Sequence, residues 1–296
     1  MTMNRNAKTL GVSAIVIVLV GLGVSLSYLP NLNTNNNSTQ TTTTTTNTEP
    51  SRPDLQSSLV YNSVNITYLR YAGFKIQYQD VIIYIDPLWI WNLDIQFEPG
   101  SYIINTHAHL THCSPRDIQE VSDNDTITIA SPDVADLNNI ADNKRHYTPD
   151  YVARPGDTLS FEGVTFEFVP MYNIVESRLW AHPPETEDFG VIVEIGGVRI
   201  FDASDSDRIL ELKEIDADIA LLPVSGYAEM SAEEAAEAVE DLKINSDLKF
   251  AIPMHWKSYT GNIFDAYDFY ELADCPVVIL APIVMDNLPP ASSIPN

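Results

Sequence analysis

Three of the six histidines in the chain fall within His107-Ala-His109-Leu-Thr-His112, directly after the apolar run Tyr102–Asn105. In extended backbone, residues two apart point to the same side, so the rings of His107 and His109 are expected to converge while His112 enters from the following turn. Convergent imidazoles suit zinc, and with carboxylates they also suit iron or manganese. The alternative is a polar loop that happens to hold three histidines. A carboxylate is offered by Phe201-Asp-Ala-Ser-Asp-Ser-Asp207, which follows another apolar run. Asp205 is the preferred donor because a carboxylate at a strand end can bridge two ions, although Asp and Ser ahead of a helix also serve as caps. Asp202 and Asp207 fit that capping reading. His255, in Ala-Ile-Pro-Met-His255-Trp256, ends a third apolar run, where an imidazole is an odd choice for packing alone. One or two divalent ions held by such a set would supply a water nucleophilic at neutral pH for attack on a small-molecule substrate, with Asp205 orienting it.

The elements that must position these groups follow from periodicity. Residues 65–85 predict a β-meander broken at Ala72-Gly73 and Gln79-Asp80 and ending in Asp86-Pro87. Strands are predicted over 102–105, 126–130, 164–169, 190–195, 198–202, 219–224, 249–254 and 276–280. Helices are predicted from Ser114-Pro115, over 132–140, over 231–242 with Ser231 and Glu234 as a capping box, and over 264–273. A meander followed by alternating strands and helices predicts an α/β layered sandwich with functional side chains at strand ends. Tyr172, Trp180 and Trp256 are candidates for a cleft wall or for the core. Cys113, next to the cluster, could add a soft donor.

Composition limits the partners. A net charge of −25 and a pI near 4.3 repel a phosphate backbone and argue against nucleic acid. Cys113 and Cys275 are the only cysteines, which rules out a disulfide framework; an oxidising compartment would allow one bridge between them, and unpaired buried thiols are the expectation. Residues 10–29 carry no charge and match the roughly 20 residues a helix needs to span a bilayer, and Arg5 and Lys8 precede them. Residues 1–30 therefore read as a transmembrane anchor with the N-terminus inside, or as a cleaved signal segment that would leave a secreted protein. Residues 31–57, rich in Thr and Asn, read as a disordered tether, and residues 58–296 as one exported domain. Asn36, Asn37, Asn65 and Asn124 begin glycosylation sequons.

Taken in order, strand-Asp-Pro, His-x-His-x-x-His, Pro-Met-Tyr-Asn with a later His-Pro, Ser-Asp-Ser after a strand, and Pro-Met-His resemble metallo-β-lactamase-fold hydrolases. The branch most resembled contains ascorbate-phosphate lactonases and the phospholipase D acting on N-acylethanolamine phospholipids. The resemblance spans roughly residues 65–282 and implies an αββα four-layer sandwich. It also implies that His107 and His109 bind a first ion, that His112 and His255 bind a second, and that Asp205 bridges them. Asn173 aligns with a further histidine of the family, for which His182 is a substitute. Where the family has His-x-His-x-Asp-His, this chain has Thr111 in place of the aspartate. Its Gly-Asp-Thr appears as Ser204-Asp205-Ser206, and its Gly-His-Ala as Arg70-Tyr71-Ala72.

Two functions follow from these readings. One is a metal-dependent hydrolase of a phosphodiester, ester or lactone. The other is a binding module at the cell surface that keeps the fold without the chemistry, motivated by Thr111, because a threonine is a poor ligand and no base at neutral pH.

Overall fold

The computed structural model describes residues 52–91, 93, 95–136, 148–256 and 261–283, all within a compact unit spanning Pro50–Asn296. The apolar segment 10–29, the tether up to residue 51 and the first two sequons lie outside the described residues. No helix among the described residues is long and apolar enough to cross a membrane. Residues 52–57, read above as the end of the tether, pack on the domain. The Arg52 guanidinium lies 4.9 Å from the Phe264 ring centroid, Leu55 packs against the core, and Gln56 forms a β-bridge with Leu280.

Two sheets repeat one plan. The first runs in chain order through β1 (Leu59–Tyr61), β2 (Val64–Arg70), β3 (Gly73–Tyr78), β4 (Val81–Ile85), β5 (Tyr102–Asn105), β6 (Ile127–Ala130) and β7 (Tyr151–Val152). Its first four strands are an antiparallel meander, and β4 to β7 are parallel. The second sheet holds β8 (Thr158–Phe161), β9 (Val164–Pro170), β10 (Phe189–Ile195) and β11 (Val198–Asp202) as a meander, then β12 (Ile219–Pro223) and β13 (Phe250–Met254) in parallel. The parallel strands β5 and β12 are buried along their whole length, as strands covered on both faces must be. In β2 and β9, burial alternates at first, as a period of two requires when one face is wetter.

The inner faces meet in one core that includes Ile66, Phe74, Phe166 and Val191, with Tyr102 and Phe166 in edge contact at 5.2 Å. Helices cover the outer faces and complete the expected αββα order. On the first sheet, Ile118 of α1 (Pro115–Glu120) and Val134 of α2 (Pro132–Asp136) pack in a second cluster with Leu69, Tyr84 and Ile103. On the second lie α3 (Ala232–Leu242) and α4 (Ile263–Leu272). Ser231 and Glu234 form the predicted capping box, and Ala235, Ala238, Val239 and Leu242 make up the buried stripe of α3. The continuation of the second predicted helix towards residue 140 lies outside the described residues.

Three strands were not anticipated. β1 and β7 are too short to show a period, and β8 (Thr-Leu-Ser-Phe) is half-polar and joins the edge of its sheet. Conversely, residues 276–280 are not a continuous strand. They touch Ala251 and Gln56 through isolated bridges at Val277 and Leu280. The apolar run there covers the β13 edge, while Pro276 has no N–H to give to a ladder.

Candidate metal centre

The meander-to-parallel switch in each sheet places polar residues at the carboxyl ends of neighbouring strands. Asp86 follows β4, and the histidine cluster follows β5. Ser204 and Asp205 follow β11, and His255 follows β13. Three of these residues take left-handed backbone, Asp86 at φ 44°, Ser204 at φ 50° and His255 at φ 64°. Outside glycine that conformation costs roughly 1–2 kcal/mol per residue, so it persists only where surrounding contacts fix it. Here the His255 amide donates to Tyr71 O at 2.8 Å, and the Ser204 hydroxyl donates to Thr106 Oγ1 at 2.8 Å. The turn before β3 is equally tight, because a Cβ at Gly73 would lie 2.9 Å from both Arg70 O and Asp86 O.

Donor atoms from these turns form two groups, His107, His109, His182 and Asp205 in one and His112, Asp205 and His255 in the other. Within each group the atoms lie within 4.8 Å of one another. Asp205 belongs to both and turns a different oxygen to each. Its Oδ1 is 2.9 Å from His255 Nε2 and 3.2 Å from His112 Nε2, while Oδ2 is 3.8 Å from His107 Nε2 and 3.9 Å from His182 Nε2. His109 completes the first group through ring contacts of 4.7 Å to His107 and 4.6 Å to His182.

The far nitrogens of four of the five imidazoles are held in turn. His112 Nδ1 meets Asp86 Oδ2 at 2.7 Å, His182 Nδ1 meets Asp188 Oδ2 at 3.0 Å, His255 Nδ1 faces Glu229 Oε1 at 3.4 Å, and His107 Nδ1 lies 3.0 Å from Thr106 Oγ1. Asp86 also accepts from the Thr106 amide and hydroxyl, tying β4 to β5. Such partners fix each ring's tautomer and leave Nε2 for the ion.

Electrostatics divide the rings. Burial and the neighbouring His112 hold His107 well below the ordinary histidine range, and burial takes His109 down to about 4. For His112 and His255 burial acts in the same direction, but the carboxylates together outweigh it and raise both, Asp205 and Asp86 at His112 and Asp205 and Glu229 at His255. Burial opposes protonation of His182 too, yet Asp188 and Asp205 raise it to about 9. Burial alone would raise Asp205, whereas His112 and His255 hold it well below the carboxylate range. Three of the rings facing this buried carboxylate, His112, His182 and His255, are thereby biased towards their positive form. The same demand fits a cation, and the donor atoms test that fit. The buried Nε2 atoms of His107, His112, His182 and His255 and Oδ1 of Asp205 face one another and meet no other hydrogen-bond partner among the described residues. Buried polar atoms are seldom left so, and five aimed at one volume are what nitrogen and oxygen ligands of a divalent ion require.

Residues 65–255 match the family described as beta-lactamase superfamily domain. The chain belongs to that family. It is similar to a metal-dependent hydrolase of Archaeoglobus fulgidus, with 27% identity over 74% of this chain and 96% of the relative. It is also similar to the crystal structure of a Parabacteroides distasonis protein described as a metal-dependent hydrolase, with 27% identity, a TM-score of 0.64, and coverage of 76% of this chain and 97% of that one. The metallo-β-lactamase fold protein YhfI of Bacillus subtilis shares the fold at 12% identity and a TM-score of 0.53, over 72% of this chain and 89% of YhfI.

Against this superfamily's pattern, the structure brings together His107, His109, His112, Asp205 and His255, and it adds His182. Asn173 braces the site. Its amide donates to Arg178 O at 3.0 Å and Ala228 O at 2.6 Å, pinning the loop that carries His182. Thr111 lines the cleft above the site, a hollow of about 500 Å3 whose wall includes Tyr71, Leu110, Trp180 and Tyr227. Asp205 caps no helix, and neither do its neighbours. Asp202 accepts from the Ser204 amide, and Asp207 accepts from the Ile174 and Val175 amides and pairs with Arg178. Cys113 packs beneath α1 and is in neither donor group, and no disulfide joins it to Cys275. Of the candidate aromatics, Trp180 lines the cleft, Trp256 is core beside Tyr68, and the Tyr172 hydroxyl donates to Glu211 in a separate hollow.

The orienting residues Asp86, Asp188 and Glu229 were missed as functional groups. Asp86 had a signal, since Asp-Pro closed a strand just ahead of the cluster. Asp188 and Glu229 had none, because each reaches its histidine only through the tertiary fold.

Proposed function

We propose that this chain is a metal-dependent hydrolase of the metallo-β-lactamase superfamily that cleaves an ester-type bond, whether carboxylic ester, lactone or phosphodiester. The observation that supports it is the set of five buried donor atoms converging on one another, with no other hydrogen-bond partner, beneath an open cleft. His107, His109, His182 and Asp205 would hold one ion, and His112, His255 and Asp205 the other. Zinc is the ion proposed, with iron or manganese also suited to these donors. When bound, such ions supply a water nucleophilic at neutral pH and a Lewis acid for the developing oxyanion. The protein's own part is positional. Asp205 spans both groups and orients the attacking water, Asp86, Asp188 and Glu229 keep the rings aimed, and the cleft wall seats the substrate. The test is metal analysis of the purified intact chain together with hydrolysis assays on esters, lactones and phosphodiesters. Bound metal with turnover supports the reading, and bound metal without any turnover ends it.

Thr111 favours a second reading, a binding module on the same fold, because its hydroxyl cannot take a proton at neutral pH. Inertness of the native chain together with activity in Thr111→Asp would select that reading. We further propose that residues 10–29 anchor the chain and that the domain lies outside the cell. A reporter fused after Asn296 would then be accessible from outside, and a cytoplasmic signal would refute the export.

A further inference from the structure

Large apolar side chains stand exposed at the mouth of the cleft. Trp180 is 63% exposed, Tyr227 57% and Leu110 43%, and the Trp180 and Tyr227 rings meet edge-on at 5.8 Å. All three line the hollow that opens onto Asp205 and His255. Both aromatics ride on fixed backbone. Trp180 lies between Arg178, ion-paired to Asp207 at 2.8 Å and Glu234 at 2.6 Å, and His182, whose carbonyl accepts from the Asn173 amide at 2.6 Å. Tyr227 follows Gly226, at φ 71°, in a loop closed by the Gly226 amide on Met230 O at 3.0 Å. An exposed aromatic pair on rigid supports adds little to folding and presents a preorganised apolar face.

From this arrangement we infer that the cleft takes an ester or lactone bearing an apolar arm, with Trp180 and Tyr227 as specificity-determining residues against which that arm lies. The inference rests on the hydrolase reading for its reaction and on the cleft wall for its substrate class. A wall that covers part of the arm raises kcat/KM about twofold to fourfold for each methylene it shields.

The test uses the intact zinc-loaded chain with p-nitrophenyl acetate, butyrate and octanoate, with bis(p-nitrophenyl) phosphate as the anionic comparison. p-Nitrophenyl octyl ether serves as a ligand that cannot be hydrolysed, its binding read by tryptophan fluorescence. We expect kcat/KM to climb along the ester series. The slope should flatten in Trp180→Ala and Tyr227→Ala, whose zinc content stays native, and persist in the remote surface variant Tyr270→Ala. A flat native series, or a slope unchanged in Trp180→Ala and Tyr227→Ala, overturns the inference while leaving the hydrolase reading intact. If no substrate turns over, the hydrolase reading falls and the ether decides the rest. Binding weakened tenfold or more by Trp180→Ala sustains the apolar seat, and no binding removes it.

Discussion

His112 Nδ1 lies 2.7 Å from Asp86 Oδ2, a contact between two fully buried side chains 26 residues apart. It orients the imidazole and links the end of the meander to the cluster. Asp86→Asn keeps the shape of the side chain but removes the charge facing the ring. We expect metal affinity to fall about 10-fold to 100-fold, the usual loss when an outer partner of a ligating histidine is changed. Equilibrium dialysis against zinc measures this, and an unchanged affinity would show that the contact does not support the site.

Asp205 is the residue common to both donor groups. Replacing it with alanine removes a ligand from each ion at once, so metal content should drop more steeply than in Asp86→Asn while the far-ultraviolet circular dichroism stays native. A variant that retained a full metal load would refute the shared-ligand assignment.

Thr111 lies beside His109 in the cleft lining, and the second donor group has three members where the first has four. The native chain should therefore take up zinc in two unequal steps. Thr111→Asp should tighten the weaker step at least about tenfold, equivalent to ~1.4 kcal/mol. Isothermal titration calorimetry separates the steps, and a variant titration superimposable on the native one would count against this.

Arg178 is a structural residue of the loop that carries Trp180 and His182. It is buried against Asp207 and Glu234 and donates to Glu229 O at 2.9 Å. Arg178→Met leaves those carboxylates without their cation, and breaking a buried pair from one side costs about 3 kcal/mol or more. Urea denaturation should show that loss, and a change below about 1 kcal/mol would mean that water takes over the pairing.

Burial raises the Cys275 thiol to about 11. Only about one thiol in a thousand is then ionised at pH 8, against roughly a quarter for an ordinary cysteine. Its reaction with Ellman's reagent should be slow at pH 8 and gain about tenfold per pH unit until it levels near 11. The folded chain also holds this proton to higher pH than the unfolded chain does, so the contribution to stability is complete below the unfolded value and disappears as pH rises through 11. A fast reaction at pH 8 would contradict the burial.

Local pattern carried the sequence reading a long way. The meander was legible because Gln79-Asp80 interrupts apolar alternation, and α3 because Ser231, Glu234 and the apolar stripe all specify one helix. His107, His109 and His112 stood out by spacing alone. His182 did not, because its place beside His107 depends on a loop tied down by Asn173, Arg178 and Asp207, contacts that no local pattern encodes. In that loop the Asn173 side-chain amide also acts as a brace through Arg178 O and Ala228 O. The left-handed turn at Ser204, where the related pattern has glycine, could not be anticipated from a serine.

The two sheets share a plan, and the donors divide between them, with His107, His109 and His112 on the first and His182, Asp205 and His255 on the second. An ion seated among them is therefore a rivet through the seam between the halves of the molecule. The core beneath already joins the two halves, so stripping the metal would leave the secondary structure in place but lower the free energy that holds the halves together, as well as silence the chemistry.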